Sequence, residues 1–201
     1  MHRRLDRKFY HRDAVTVARA LLGQLLVRRY RGRRLTGVIV ETEAYLGVAD
    51  QAAHTAGGRR TVRNASMWGD GGHAYVYFTY GMHHCLNVVS GRCEEPVAVL
   101  LRALEPVEGI KTMYTHRSKA KQTTDLCSGP ANLTQALAID RHLDGADLTQ
   151  GSTLFIERLR KRTLSSARIG VGPRIGVGYA GDWADKPLRF FVRDSRYVIR
   201  R

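Results

Sequence analysis

Two glutamates two residues apart, Glu41 and Glu43, close the apolar stretch that ends in Val40-Glu41-Thr42-Glu43-Ala44-Tyr45-Leu46-Gly47. In an extended strand residues i and i+2 share a face, so the two carboxylates lie together and Thr42 faces away. A carboxylate placed this way can act as a general base, hold a cation, or balance a neighbouring arginine. Such an arginine is present: Arg102 ends the run Val97-Ala98-Val99-Leu100-Leu101, and a guanidinium there is costly unless it is paired. Glu43 or Glu41 is its expected partner. Tyr45, Tyr75, Tyr77 and Tyr80 add aromatic faces, which among many basic side chains suit stacking on nucleic-acid bases.

The elements that must position these residues can be read from pattern. Asp13 precedes Ala14, Val15, Val17, Ala18, Leu21 and Leu22, which form one apolar helical face, and Gly23 can end the helix in the left-handed region. Residues 24–29 and 35–42 flank Tyr30-Arg31-Gly32-Arg33 as a hairpin whose second strand delivers the glutamates. From Gly47 to Gly72 no period survives; a loop this long, with His54, Gly57, Gly58, Arg59, Arg60, Thr61, Arg63 and Asn64, reads as a binding loop. Its glycines bring backbone amides close to a phosphate while its arginines supply charge. Residues 73–79 alternate as a strand, and Tyr80-Gly81 turns the chain with Tyr80 at an exposed tip.

Residues 86–89 and 97–103 read as further strands, and Glu105-Pro106 as the start of a helix through Val107, Ile110, Met113 and Tyr114. Residues 116–121 form a basic loop. Ser128-Gly129-Pro130 opens a helix over 131–139, whose free amides can either hold a phosphate oxygen or be capped in the ordinary way. Residues 153–159 and 187–193 complete the strands. Arg168-Ile169-Gly170-Val171-Gly172 recurs as Arg174-Ile175-Gly176-Val177-Gly178, but without the G-x-G-x-x-G setting of a dinucleotide site. Strands with dispersed helices and no βα alternation predict a mixed α/β (α+β) domain, largely antiparallel, occupying residues 1–201.

Charge narrows the partner. With 33 Lys+Arg against 18 Asp+Glu the formal net charge is +15, which favours a polyanion. No apolar stretch is long enough to span a bilayer and no basic helix carries a matching apolar face, so nucleic acid is preferred over a membrane. Cys85, Cys93 and Cys127 are odd in number and lack C-x-x-C spacing, so neither a disulfide framework nor a zinc site is expected. Reduced thiols imply a reducing compartment. The charged start, Met1-His2-Arg3-Arg4-Leu5-Asp6-Arg7, is not followed by the apolar core of a secretory signal. The expected location is therefore the cytoplasm with its nucleoid, or the nucleus.

Several segments, in order along almost the whole chain, carry a resemblance. These are the Glu41–Gly47 motif with His54, Tyr75-Val76-Tyr77-Phe78-Thr79-Tyr80-Gly81-Met82, Leu100-Leu101-Arg102-Ala103-Leu104-Glu105-Pro106, Cys127-Ser128-Gly129-Pro130 and Lys186-Pro187-Leu188-Arg189-Phe190. Together they closely resemble the alkyladenine (3-methyladenine) DNA glycosylase family. The resemblance implies a single α+β domain with a curved antiparallel sheet, no helix-hairpin-helix, no metal or other cofactor, and no obligate protein partner. It implies a monomeric, monofunctional enzyme that removes alkylated or deaminated purines from duplex DNA. Glu43 matches the general base that activates water, and Arg102 a residue that holds that water. Tyr45 matches the ring stacked on one face of the flipped base, His54 and Tyr77 the residues on its other face, and Asn87 an amide on the pocket floor. Tyr80, followed by Met82, matches the side chain wedged into the vacated gap. Gly58, Arg59, Thr61, Arg63, Ser128 and Gly129 fall where the DNA backbone would be held. His83 and His84 depart from the family pattern, and either Arg168 or Arg174 takes the position of its single arginine copy.

Two other chemistries are compatible with the residues themselves. A metal-dependent nuclease would draw on Glu41, Glu43, Asp50, His54 or His73. A non-catalytic nucleic-acid module, such as an RNA binder, would use the same charge and rings without cleaving anything. No lysine stands beside Glu43, which fits water as nucleophile and disfavours a Schiff-base lyase. Glu41 and His54 are the candidates for an acid that would protonate a neutral leaving base.

Overall fold

A computed structural model describes residues 3–199; Met1 and His2 of the charged start lie outside them. Helices α1 (Arg7–Tyr10) and α2 (Ala14–Leu21) come first, each capped by an aspartate. The Asp13 side chain accepts the Thr16 amide, and Gly23 at φ 81° ends the segment as its sequence suggests. Then come β1 (Leu25–Tyr30), β2 (Arg33–Tyr45), β3 (Ala74–Thr79), β4 (His83–Ser90) and β5 (Val97–Glu108). Helices α3 (Ile110–His116), α4 (Thr123–Cys127) and α5 (Pro130–Ala136) follow, and β6 (Leu154–Glu157), β7 (Ile169–Gly172) and β8 (Arg189–Val192) close the chain. The strands form one sheet in the order β3-β4-β5-β2-β1-β6, with β8 joined to β2 and β7 to β8. Every strand pairing is antiparallel, in keeping with the mixed α/β expectation.

One face of this sheet is dry. Ile39, Ala44, Val99, Leu101 and Leu104 pack against Val17, Ala18 and Leu21 of α2, Met113 of α3 and Leu133 of α5. Burying each such aliphatic side chain contributes about 1.5–3 kcal/mol, which is what holds the helices to the sheet. Thr42 points to this side, its hydroxyl donating to the Ala18 carbonyl at 3.0 Å.

The opposite face carries the polar side chains, and an irregularity in the β2–β5 ladder puts them there. Ile39 pairs with Leu104, Glu41 with Ala103 and Thr42 with Leu101, so Val40 and Arg102 have no partner opposite them. Each strand thereby turns two consecutive residues, Val40-Glu41 and Arg102-Ala103, away from the main core. Bulges of this kind locally break the alternation of a strand and re-aim side chains.

The helix expected from Glu105 is corrected. Pro106 pairs with Gly37 within β5, and the strand continues to Glu108. The break falls at Gly109, at φ 76°, where a Cβ would collide with Leu35, and α3 starts one residue later. Edge-compatible pairing of the Glu105-Pro106 segment with β2 overrides its helix-start signal. The helix expected over 131–139 is present but ends at Ala136. The 47–72 loop is ordered by short 3-10 turns at Gly47–Ala49, Ala56–Gly58 and Val62–Trp68.

Candidate active site

Glu43 is fully buried. Its Oε1 accepts the Ile175 amide at 2.8 Å and lies 3.3 Å from Arg102 Nη1, while its Oε2 accepts the Tyr45 hydroxyl at 2.9 Å. Arg102 turns its Nε to Glu41 Oε1 at 3.3 Å, so both carboxylates share the one guanidinium, and Arg189 Nη1 donates to the same Glu41 oxygen at 3.0 Å. Glu41 is thus committed to two arginines. Burial raises the pKa of Glu43, and the opposing pull of Arg102, the Ile175 amide and the Tyr45 hydroxyl does not cancel that rise. Burial also works against the charge on Arg102, but Glu43 and Glu41 more than compensate and hold its pKa above the usual value.

Next to this cluster opens a cavity of about 300 Å³, lined by Tyr45, His54, Tyr77, Asn87, Arg102 and Ile175 among others. That is the small end of the range for ligand pockets. Glu43 is not part of its wall; Arg102, Ile175 and Tyr45 stand between the carboxylate and the opening. The His54 ring meets Tyr77 edge-on at 4.6 Å between centroids, and its Nδ1 is 2.7 Å from the Tyr75 hydroxyl. Burial, then Arg63 and Arg59, push the His54 pKa down to about 4, so the ring is neutral near pH 7. Asn87 lies in the floor with its Nδ2 donating to the Tyr75 carbonyl at 3.2 Å.

Tyr80 and Met82 stand out from the cavity mouth at 83% and 70% exposure. Tyr80 (φ 51°) and Gly81 (φ 67°) form the two central positions of the β3–β4 hairpin, closed by the Met82 amide donating to the Thr79 carbonyl at 3.3 Å. Two left-handed residues in a two-residue hairpin define a type I′ turn, whose twist matches the flanking strands. A tyrosine held in that region is uncommon, and here it fixes a large ring at the most protruding point of the hairpin. His84 lies 5.0 Å from the half-exposed Phe78 ring, beside the tip.

The binding loop lies along the other side of the mouth. Asn64 ties it together, donating to the His54 and Arg59 carbonyls and accepting the Thr61 amide. Arg63 donates to the Phe78 carbonyl and its guanidinium lies 5.2 Å from the Tyr77 ring centre. Gly58, at φ 80°, and Arg59 are exposed on the same loop. The Ser128 hydroxyl is instead drawn inward, bonded to the Thr124 and Tyr197 carbonyls. Gly129 occupies the N-cap of α5, and the next residue, Pro130, reaches the cavity.

Sequence reasoning misses the far wall. The two copies of Arg-Ile-Gly-Val-Gly do different things: the first forms β7, while the second brings Arg174 beneath Tyr45 and Ile175 to Glu43. Tyr179, an exposed ring at the mouth with its hydroxyl donating to the Ala52 carbonyl, is also absent from the sequence-based site. The one available signal is a second arginine-glycine segment with no helix or strand pattern of its own. The residues a nuclease would need are parted among other partners: Asp50 holds Arg174, His54 meets Tyr75, and His73 Nδ1 sits 2.7 Å from the Asp70 carbonyl. Among the described residues no three of His, Cys, Asp and Glu gather around one point.

An antiparallel α+β sheet presenting a buried, arginine-paired glutamate beside an aromatic cavity and a protruding tyrosine defines a class of base-handling proteins. Residues 8–196 match the family described as methylpurine-DNA glycosylase (MPG). The chain is 49% identical to the DNA-3-methyladenine glycosylase of Mus musculus over 97% of its own length, spanning 61% of that relative. It is 44% identical to the putative 3-methyladenine DNA glycosylase of Desulfitobacterium hafniense and 49% identical to that of Carboxydothermus hydrogenoformans, covering 98% of this chain in each case and 98% and 99% of those relatives. The chain belongs to the methylpurine-DNA glycosylase family.

Proposed function

We propose that the protein is a monofunctional, monomeric DNA glycosylase that hydrolyses the N-glycosidic bond of alkylated or deaminated purines, of the 3-methyladenine, 7-methylguanine, hypoxanthine and ethenoadenine type, in duplex DNA of the nucleoid or nucleus. The observation that carries this is the buried Glu43–Arg102 pair behind an aromatic cavity sized for one heterocycle. A base within a duplex is out of reach of any such cavity, so the nucleotide must first be extruded, as glycosylases in general do, at a cost of a few kcal/mol. Stacking contributes roughly 1–3 kcal/mol per base contact, enough for Tyr45 and Tyr77 to offset much of the cost while Tyr80 fills the gap.

The acceptor inventory of Glu43 supports a water as nucleophile. An ionised carboxylate offers about four lone-pair sites. Ile175, Arg102 and Tyr45 account for three, and we assign the fourth, on Oε2, to a water whose oxygen is also within the reach of Arg102. That water attacks the sugar C1′ and gives its proton to Glu43. The C1′–N bond breaks and its electron pair leaves with the base. An N-alkylated purine is already cationic and departs neutral, so one general base suffices, unlike the two carboxyl groups of most glycoside hydrolases. For a neutral base His54 is a poor proton donor near pH 7, its pKa lying at about 4.

The test is Glu43→Gln, which keeps the shape and removes the proton acceptor. Excision of hypoxanthine or 3-methyladenine from a duplex should fall by about a hundredfold or more while lesion-DNA affinity persists; excision at the wild-type rate would overturn the assignment.

A further inference from the structure

The tandem repeat places a second arginine in the site, and its surroundings differ from those of Arg102. Both side chains of the Arg174–Asp50 pair are fully buried. Arg174 donates through both terminal nitrogens to the two oxygens of Asp50, through Nη1 to the Ala44 carbonyl at 3.0 Å, and through Nη2 to the Trp183 carbonyl at 3.3 Å. Its guanidinium carbon lies 4.6 Å from the centre of the Tyr45 ring. Asp50 in turn accepts the Leu46 amide at 2.9 Å and the Ala52 amide at 3.0 Å.

These contacts join three separate pieces of the pocket. Ala44, Tyr45 and Leu46 are the end of β2 that carries Glu43. Ala52 opens the turn leading to His54. Ile175, next in sequence to Arg174, donates its amide to Glu43. A bidentate arginine-carboxylate pair has one preferred plane and two fixed bonds, so it transmits orientation in a way that a lysine point charge does not.

We propose that Arg174, locked by Asp50, is a positioning residue for the reaction: it backs the Tyr45 ring, thereby holds the Tyr45 hydroxyl on Glu43, and fixes the Ile175 amide on the same carboxylate. The inference rests on the glycosylase reading and adds to it a buried clamp that sets the nucleophile's base and the stacking platform together. A clamp used only for folding would be indifferent to what Tyr45 does.

A double-variant cycle separates the two possibilities. In single-turnover excision from a hypoxanthine duplex, Arg174→Lys should slow the reaction about tenfold, as expected for slight misplacement of reacting groups, while affinity for undamaged duplex is unchanged. Tyr45→Phe, which keeps the ring and deletes the hydroxyl, should slow it as well. If Arg174 acts through Tyr45, the doubly substituted protein is no slower than the slower single variant. Multiplying effects, or an Arg174→Lys protein with the wild-type rate, would overturn the proposal. Should Arg174→Lys fail to fold, Asp50→Asn is read in the same cycle, and failure of both to fold makes the pair structural and refutes the positioning role. A wild-type protein that releases no base removes the glycosylase reading and this inference with it; a wild-type protein that excises normally leaves the cycle to judge the inference alone.

Discussion

At the residue scale the site turns on a carboxylate that burial makes a stronger base and an arginine that keeps it ionisable. The direction of the Glu43 shift has a kinetic consequence. Its pKa lies above the ordinary carboxylate value, so on acidification Glu43 takes up its proton at a higher pH than a surface glutamate would. With a cationic 7-methylguanine substrate, which needs no acid, excision should rise with pH through that raised pKa and then level off; a rate that stays flat down to the pKa of an exposed glutamate would contradict Glu43 as the base. Much of this pairing is legible in the sequence. An arginine closing an apolar run demands a carboxylate, and Glu41 and Glu43 are the ones on offer. The partnership of Asp50 with Arg174 is not legible, because 124 residues separate them and no local pattern records a contact of that span.

At the element scale the β3–β4 hairpin is the part most exposed to a single change. Its tip can be read from Tyr80-Gly81, since glycine at that point is a turn signal, but the left-handed conformation of Tyr80 itself depends on the turn type and so on the pairing of both strands. Gly81→Ala puts a Cβ into the left-handed region at a cost of roughly 1–2 kcal/mol. We expect this variant to displace the Tyr80 ring and slow excision from a fully paired duplex more than from a mispaired or single-stranded one, where less unstacking is required. Equal slowing on all three substrates, measured in single turnover, would count against a wedge. The misread helix start at Glu105 has the same physical root. Proline in a first helical turn and proline on a strand share one φ, and only the neighbour strand, through Gly37, selects between them.

At the scale of the whole molecule the +15 charge dominates encounter with a polyanion. Each phosphate neutralised releases counterions, so the logarithm of the affinity for duplex should fall linearly with the logarithm of salt, at about 0.9 per phosphate contacted. An affinity indifferent to salt between dilute and physiological buffer would refute backbone binding by the loop that carries Arg59 and Arg63. The sheet order, with β2 flanked by β5, β1 and β8, is beyond reach of sequence pattern because strand neighbours in space are not set by their own alternation.

The unpaired positions Val40 and Arg102 also carry a rule about chain length. The offsets cancel, since Ile39 with Leu104 and Thr42 with Leu101 follow the same register. Losing one residue from only one of these strands would invert everything beyond the gap, turning Tyr45 into the oily layer or Leu101 out of it. Insertions and deletions here are therefore tolerated only as matched events on both strands, and the spacing of the glutamates from Tyr45 is locked to a count kept on a strand far away along the chain.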